Sequence, residues 1–312
     1  MKFAFVFPGQ GSQSVGMMKG YNDFPIVRET FSEASDILSH DFWTMVNNGP
    51  TDSLNLTTNT QPLMLMSGIA VYRAWESLGG PSPTFTAGHS LGEYTALVVS
   101  GVMTFRDALS TVRFRGKVMQ QAAPEGTGKM AAIIGLDDDM IRTVCAEVTN
   151  DSAGESLEPA NFNSPGQVVI AGHKNAVLRG IELAKEKGAK LAVLLPMSVP
   201  SHCSLMASTA ERMQQRLNKL TLLTPKIPIL HNADVQQHKN NAAIKNSLVK
   251  QLYFPVRWTE TIHAFVEAGV THIVECGPGK ILTGLNKRID KNLQSIALTD
   301  SAALRQTINI LM

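Results

Sequence analysis

The sequence predicts an α/β fold with a smaller inserted subdomain, on the strength of three observations. An apolar stretch from Phe85 to Ala87 is followed at once by a glycine-flanked turn and an apolar helix. Further apolar strands at 3–7 and 271–275 also end in glycine-rich loops. Between residues 126 and 197 the pattern changes to β-α-β-β-α-β, the order of a split ferredoxin-like unit.

The composition indicates a globular protein, either one large domain with an insertion or two domains. The chain has 312 residues, of which 44% are hydrophobic and 17% charged, enough to bury a sizeable core. A net charge of +2 without a long basic run argues against nucleic acid as the partner. The three cysteines are far apart, which fits a reducing compartment and neither a disulfide frame nor a zinc site. With no signal peptide or membrane span visible, we expect a cytoplasmic protein.

The first strand, Phe3 to Phe7, leads into a loop that begins Pro8-Gly9-Gln10-Gly11. This loop fails as a dinucleotide fingerprint, because Ser14 stands where the third glycine would be needed. Gln10 can be a polar group held near the end of a strand, or the loop can be a plain tight turn.

The turn Gly88-His89-Ser90-Leu91-Gly92 has the spacing of a nucleophile elbow. Glycines on both sides let strand and helix approach closely, and they leave the Ser90 hydroxyl exposed at the apex. The backbone N–H of Leu91 lies at the positive end of the new helix, where it can stabilise an oxyanion. The pattern points to acyl transfer; the alternative is an inert serine at a glycine-flanked helix start.

The helix that starts at Thr104, with Asp107 placed as in a capping box, carries an apolar stripe over 105–112. The next positions on that stripe are Arg115 and Gly116, so a guanidinium faces inward. This guanidinium can be held over a cleft where it binds an anion, or it can belong to an internal salt bridge.

The region 127–197 is predicted to form the inserted ferredoxin-like subdomain, with residues 1–126 and 198–312 as the other domain. A cleft between the two would be a natural binding site. The predicted strands are Lys129–Ile134, Ala160–Phe162, Gln167–Ala171 and Leu191–Leu195, and the predicted helices are Asp137–Val148 and Ala176–Lys187.

His202 is the first candidate for a catalytic base, because it lies at an element boundary that faces this cleft. It precedes a helix predicted over 204–220. His231, in a strand-turn, is the second choice. His89 diverges from its neighbour Ser90 at the turn and is interpreted as structural, and Cys203 as a small buried cysteine.

Several motifs, taken in order along the chain, resemble the malonyl-CoA:acyl carrier protein transacylase family. The resemblance covers essentially the whole sequence. Its motifs are Phe-Pro-Gly-Gln-Gly-Ser-Gln at 7–13, Gly-His-Ser-Leu-Gly-Glu at 88–93, Val-Arg-Phe-Arg-Gly-Lys around Arg115, Asn-Phe-Asn-Ser-Pro-Gly-Gln at 161–167, Pro-Ser-His at 200–202, Gln251 before Leu-Tyr-Phe-Pro-Val, and Gly-Pro-Gly-Lys at 277–280.

The resemblance implies a role for each of these positions. Ser90 would be the nucleophile and His202 its base and later acid, with the main-chain carbonyl of Gln251 orienting His202. The backbone N–H groups of Gln10 and Leu91 would form the oxyanion hole. Arg115 would pair with the malonyl carboxylate. The implied fold is an α/β-hydrolase-like parallel-sheet core with the ferredoxin-like subdomain inserted.

The implied reaction transfers malonyl from malonyl-CoA to the phosphopantetheine thiol of acyl carrier protein through a malonyl-serine, in the supply of fatty acid synthesis. We expect no metal and no bound cofactor, and a monomer. The acidic carrier protein could dock at Lys287 and Arg288, with Lys190 facing them. The alternatives are a serine thioesterase or esterase, for which an inward Arg115 has no use, and a carrier-binding scaffold without catalysis.

Overall fold

The computed structural model describes residues 1–124, 126–152, 154–197 and 199–312. Its strands are β1 Phe3–Phe7, β2 Phe85–Gly88, β3 Gly128–Ile134, β4 Leu157–Ser164, β5 Gln167–His173, β6 Leu191–Leu194, β7 Ile229–Leu230, β8 His272–Glu275 and β9 Gln294–Ala297. Its helices are α1 Pro25–Leu38, α2 Phe42–Asn48, α3 Thr51–Asn55, α4 Thr57–Ser77, α5 Gly92–Val99, α6 Phe105–Ala122, α7 Asp138–Asn150, α8 Lys174–Glu186, α9 Ala210–Asn218, α10 Asn241–Lys250, α11 Trp258–Glu267, α12 Ile281–Ile289 and α13 Ser301–Leu311.

The strands form two separate sheets. One has the order β7-β2-β1-β8-β9, and all its neighbouring strands are parallel. Its central strand β1 is buried along its whole length, as its unbroken apolar sequence requires of a strand covered by helices on both faces. The predicted α/β class, with a parallel-sheet core, is confirmed.

The second sheet is antiparallel and has the order β4-β5-β3-β6. Helices α7 and α8 pack on one of its faces around a hydrophobic cluster of its own. The element order is the predicted β-α-β-β-α-β. The division into domains at 126/127 and 197/198 stays a prediction, and residue 198 lies outside the described residues.

Three elements differ from their predicted bounds by three or more residues at one end. Strand β4 is longer than 160–162 because Pro159, which lacks an N–H, is tolerated on an edge strand. The helix predicted over 204–220 begins as a 3₁₀ turn, Ser204–Thr209, in which the Thr209 hydroxyl donates to the Met206 carbonyl.

The apolar pattern before Gly79-Gly80-Pro81 predicts a helix over 61–78, whereas α4 starts at Thr57. The sequence Thr57 to Thr60 is polar and has low helix propensity. Tertiary contacts override this preference, because Thr60 donates to the Leu54 carbonyl and Thr57 donates to the side chain of Gln10. The extra turn therefore ties α4 to the loop after β1.

Candidate active site

Ser90 stands at the apex of a sharp turn between β2 and α5, and its φ of 52° lies in the left-handed region. The flanking glycines are required by close contact. A Cβ on Gly88 would lie 1.9 Å from the carbonyl carbon of Gly92, and one on Gly92 would lie 2.0 Å from the carbonyl oxygen of Phe7. The elbow therefore packs directly on the end of β1, and only glycine fits at either position.

The side chain of Asn232 also stabilises this turn by two hydrogen bonds, although no local sequence pattern predicts it. Its Oδ1 accepts the backbone N–H of Ser90 at 2.6 Å, and its Nδ2 donates to the Gly88 carbonyl at 2.6 Å. These groups lie where β2 ends and the turn begins, and buried backbone polar groups need partners. One buried amide thus satisfies two backbone groups of the turn.

His202 makes the contacts expected of a base for Ser90. Its Nε2 lies 2.7 Å from the Ser90 Oγ, and its Nδ1 lies 2.7 Å from the main-chain carbonyl of Gln251. A carbonyl only accepts, so Nδ1 carries the proton and Nε2 is left to accept one from the serine. Like Ser90, His202 has a positive φ, of 63°.

The electrostatic surroundings keep His202 neutral. Burial, and next the neighbouring Arg115 guanidinium, lower the pKa of His202 to about 3, although the Gln251 carbonyl partly opposes this shift. A neutral imidazole at physiological pH is the form that can take a proton.

Arg115 is fully buried beside the serine. Its Nη2 donates to the Ser90 Oγ at 3.2 Å and to the Gln251 Oε1 at 3.0 Å, and its Nη1 donates to the Gln61 Oε1 at 2.9 Å. Among the described residues it forms no salt bridge, and its Nε has no hydrogen-bond partner. The structural salt bridge considered from the sequence is thus absent in the described chain. A buried cation held only by neutral groups is suited to receive an anion.

The residues Gln10 and Leu91, whose backbone N–H groups are the predicted oxyanion hole, both line the cleft around Ser90. Neither donates a hydrogen bond to another group in the described part of the chain. The loop of Gln10 is pressed against the elbow, since a Cβ on Gly9 would lie 2.5 Å from the His89 carbonyl oxygen. Two free N–H donors on either side of a serine can stabilise an oxyanion.

The cleft has a volume of about 520 Å³ and lies between the two sheets. Met130, Ala132 and Val169 from the antiparallel sheet line it opposite Ser90, and Leu282 and Leu285 of α12 complete an apolar side. An apolar cleft with a few convergent polar groups is the usual form of a small-molecule site.

The remaining candidates lie in other surroundings. His231 is buried with its Nδ1 2.6 Å from the Glu93 Oε1, so it is engaged away from the serine. Burial raises the pKa of the Cys203 thiol to about 12, and its Sγ contacts the Pro200 carbonyl. The His89 Nε2 lies 2.8 Å from the Asn163 Oδ1.

Lys287, Arg288 and Lys190 are exposed outside the cleft. Arg288 donates to the side chain of Gln167, which lines the cleft, and the backbone N–H of Lys190 bonds to Ile134, the cross-strand neighbour of Gln167. The three cations therefore lie toward the same end of the antiparallel sheet, at the side where Gln167 borders the cleft.

Within the described residues, no three His, Cys, Asp or Glu side chains are grouped so as to hold a metal ion. No helix in the same part of the chain is long and apolar enough to cross a membrane.

The fold and the arrangement around Ser90 fit one class of protein, an α/β enzyme that transfers acyl groups. The chain matches the acyl transferase domain family over residues 4–302. It is 50% identical over 310 residues to the malonyl CoA-acyl carrier protein transacylase of Escherichia coli (strain K12), covering 99% of each chain. The chain belongs to this family of transacylases.

Two solved structures agree with this assignment. The acyl-carrier-protein S-malonyltransferase of Burkholderia pseudomallei 1710b is 52% identical, with a TM-score of 0.96 over 99% of this chain and 100% of that one. A malonyl-transacylase in complex with its type II PKS acyl-carrier protein is 48% identical, with a TM-score of 0.97 over 99% and 100%.

Proposed function

We propose that this protein transfers the malonyl group of malonyl-CoA to the phosphopantetheine thiol of acyl carrier protein, as an S-malonyltransferase that supplies fatty acid synthesis. The observation that carries the proposal is the buried Arg115 guanidinium, 3.2 Å from the Ser90 hydroxyl and without a carboxylate partner in the described chain. Family membership supports the same reaction.

In the first half-reaction His202 accepts the Ser90 proton at Nε2 while the serine oxygen attacks the thioester carbonyl. The negative charge that develops on the carbonyl oxygen is stabilised by the N–H groups of Gln10 and Leu91. When the tetrahedral intermediate collapses, the C–S bond breaks and His202 returns the proton to the leaving CoA sulfur. Malonyl remains as an ester on Ser90.

The second half-reaction runs the same steps with the carrier thiol as nucleophile. His202 takes the thiol proton, the sulfur attacks the malonyl ester, and the Ser90 oxygen leaves and recovers the proton from His202. The Gln251 carbonyl keeps the imidazole in one tautomer throughout, as a carboxylate does in a catalytic triad. Each half-reaction balances in protons, so the route calls for no cofactor.

Two further predictions belong to this proposal. The carrier protein docks at Lys287 and Arg288, with Lys190 nearby, because acidic partners favour a basic rim beside the cleft. The enzyme works in the cytoplasm, since all three cysteines are free and buried, as in a reducing compartment.

Intact-mass spectrometry after mixing with malonyl-CoA tests the function directly. We expect a single malonyl adduct on Ser90, its transfer on addition of holo acyl carrier protein, and no adduct on Ser90→Ala. Release of free malonate at the rate of adduct loss, without transfer to carrier protein, would instead identify a thioesterase. Malonyl exchange by Ser90→Ala at the wild-type rate would disprove the proposed nucleophile.

A further inference from the structure

Glu93 is a buried carboxylate close to Ser90 in the sequence, and neither half-reaction of the proposed mechanism uses it. It lies in the first turn of α5, three residues after Ser90, and does not line the cleft. Its Oε1 lies 2.6 Å from the His231 Nδ1. Its Oε2 accepts the backbone N–H of Asn232 at 3.1 Å and the Nε2 of Gln251 at 2.7 Å.

The Oε2 atom is an acceptor in whichever protonation state the group adopts. Two N–H donors point at it, so any proton shared by the group lies between the Oε1 and the ring of His231. Glu93 therefore always presents an oxygen to the Gln251 side chain.

This oxygen makes the shortest of three contacts that fix which way round the Gln251 amide lies. The Nε2 end donates to Glu93 at 2.7 Å and to the Ser90 carbonyl at 2.8 Å, and the Oε1 end accepts from Arg115 at 3.0 Å. A reversed amide would direct its N–H groups at the guanidinium and its oxygen at two other oxygens. All three contacts would be lost.

The orientation matters because, besides the Ser90 hydroxyl, two side-chain amide oxygens accept hydrogen bonds from the far end of Arg115 in the described chain. Gln61 holds the Nη1 and Gln251 holds the Nη2, one on each branch of the guanidinium. Both partners are neutral, so they fix the plane of the guanidinium and leave its positive charge in place. A carboxylate at the same distance would neutralise that charge.

We propose that Glu93 is a positioning residue for substrate selectivity, whose carboxylate acts through the Gln251 side chain to hold the Arg115 guanidinium where it receives the malonyl carboxylate. The inference rests on the proposed function and adds a residue that touches neither substrate nor reacting atoms. It deepens that function by adding to Arg115 a second determinant of malonyl recognition, one that lies outside the cleft lining.

A matched pair of variants tests it. Glu93→Met keeps the length of the side chain but offers no acceptor to Gln251, whereas Glu93→Gln keeps an oxygen for Gln251 and can donate to His231. We expect the ratio of kcat/KM for malonyl-CoA to that for acetyl-CoA to fall about tenfold or more in Glu93→Met, and to recover most of the wild-type value in Glu93→Gln.

Glu275 provides the control for general destabilisation. It is equally buried, but its oxygens accept from the backbone of Leu282 and Thr283 at the start of α12. We expect Glu275→Met to lower the melting temperature and to keep the malonyl-to-acetyl ratio. A ratio that fell equally in both Met variants would overturn the inference.

If Glu93→Met does not fold, Gln251→Met answers the same question, because it removes the amide and keeps the main-chain carbonyl that holds His202. An unchanged ratio in whichever variant folds, measured beside a wild type that transfers malonyl, would overturn the role of Glu93 and leave the function intact. A crystal structure of Glu93→Met in which Arg115 still donates to the Gln251 Oε1 would overturn it whatever the activity.

Discussion

At the scale of single residues, the site combines a neutral base with a permanent cation a few ångströms from one serine. Both His202 and Arg115 contact the Ser90 Oγ. The Arg115 guanidinium lowers the pKa of His202, and a neutral His202 leaves the guanidinium charge uncompensated, as the proposed binding of a malonyl carboxylate requires. Their proximity makes the chemistry and the selectivity depend on each other.

Replacing Arg115 should change which acyl group is transferred. Acetyl leaves the buried guanidinium without an anion, whereas malonyl can accept two parallel hydrogen bonds from it. We expect Arg115→Ala to lose most malonyl transfer and to keep or gain acetyl transfer, a change of about 10² to 10⁴ in the ratio of kcat/KM values. Arg115→Lys should rescue only part of it.

The measurement is kcat/KM for both acyl-CoAs in wild type and variants, with the acyl-serine followed by mass. A malonyl-to-acetyl ratio that stayed at the wild-type value in Arg115→Ala would show that the carboxylate is recognised elsewhere.

The pKa of His202 predicts an unusual pH profile for acylation. A histidine with an ordinary pKa loses its base form as the pH falls through roughly 6.5. Because burial and Arg115 lower the pKa of His202 to about 3, the neutral form persists to much lower pH. We expect kcat/KM for self-acylation to stay level from about pH 8 down to about pH 5.

Rapid-quench measurement of acyl-serine formation across this range would check the profile. In Arg115→Ala the fall should move to higher pH, since the second largest cause of the lowered pKa of His202 is gone. A fall centred near pH 6.5 in the wild type would contradict the prediction.

At the scale of elements, sequence patterns predict those features that depend on residues close together in the chain. The elbow follows from glycines that fit close backbone contacts, and the inward Arg115 follows from the 3.6-residue period of α6. The Thr104 hydroxyl caps that helix by accepting the Asp107 N–H. Each of these signals lies within a few residues of the feature that it specifies.

The supporting residues could not be found in this way. Asn232 meets the Ser90 N–H from 142 positions away, and Gln251 meets Glu93 from 158 positions away. Such contacts depend on which strands are neighbours in the sheet. Strands β2 and β7 are adjacent in the sheet although four other strands lie between them in the sequence. One local signal was available: Glu93 is an acidic residue at the start of an otherwise apolar helix.

The elbow should depend on Asn232 for its shape. Asn232→Ala leaves the Ser90 N–H and the Gly88 carbonyl buried without their partner, at a cost of about 1 to 3 kcal/mol each in the free energy of unfolding. We also expect kcat to fall about tenfold or more, because a small misplacement of a nucleophile reduces the rate strongly.

Asn286 supplies a matched control, since its buried side chain accepts from Trp258 and does not line the cleft. Denaturant unfolding and pre-steady-state acylation should show that Asn286→Ala loses stability alone. A full acylation rate in Asn232→Ala would mean that the turn keeps its shape without the clamp.

At the scale of the whole molecule, the two sheets contribute different halves of the cleft. The turn after β2 carries Ser90, and the segment after β6 carries His202. Met130, Ala132 and Val169 of the antiparallel sheet form an apolar part of the wall. We therefore expect malonyl-CoA and carrier protein to reach Ser90 between the two sheets.

Reversing the charge of the basic rim should separate the two half-reactions. We expect Lys287→Glu with Arg288→Glu to raise KM for acyl carrier protein and to flatten its salt dependence, while self-acylation by malonyl-CoA is unaffected. Lys219→Glu with Lys239→Glu, at exposed positions outside the cleft lining, serves as the control for net charge. Unchanged carrier kinetics at low salt would exclude this surface.

The positive φ of both Ser90 and His202 lowers the stability of the folded protein. Each L-residue in left-handed backbone raises the free energy of the native state by about 1 kcal/mol, and both residues to which the proposed mechanism assigns proton transfer carry this cost. Glycine would relieve the backbone strain at either position, but it would remove the proposed nucleophile or the proposed base. At these two positions the side chains needed for activity reduce the stability of the fold, so we expect thermostable variants to gain their stability elsewhere in the molecule.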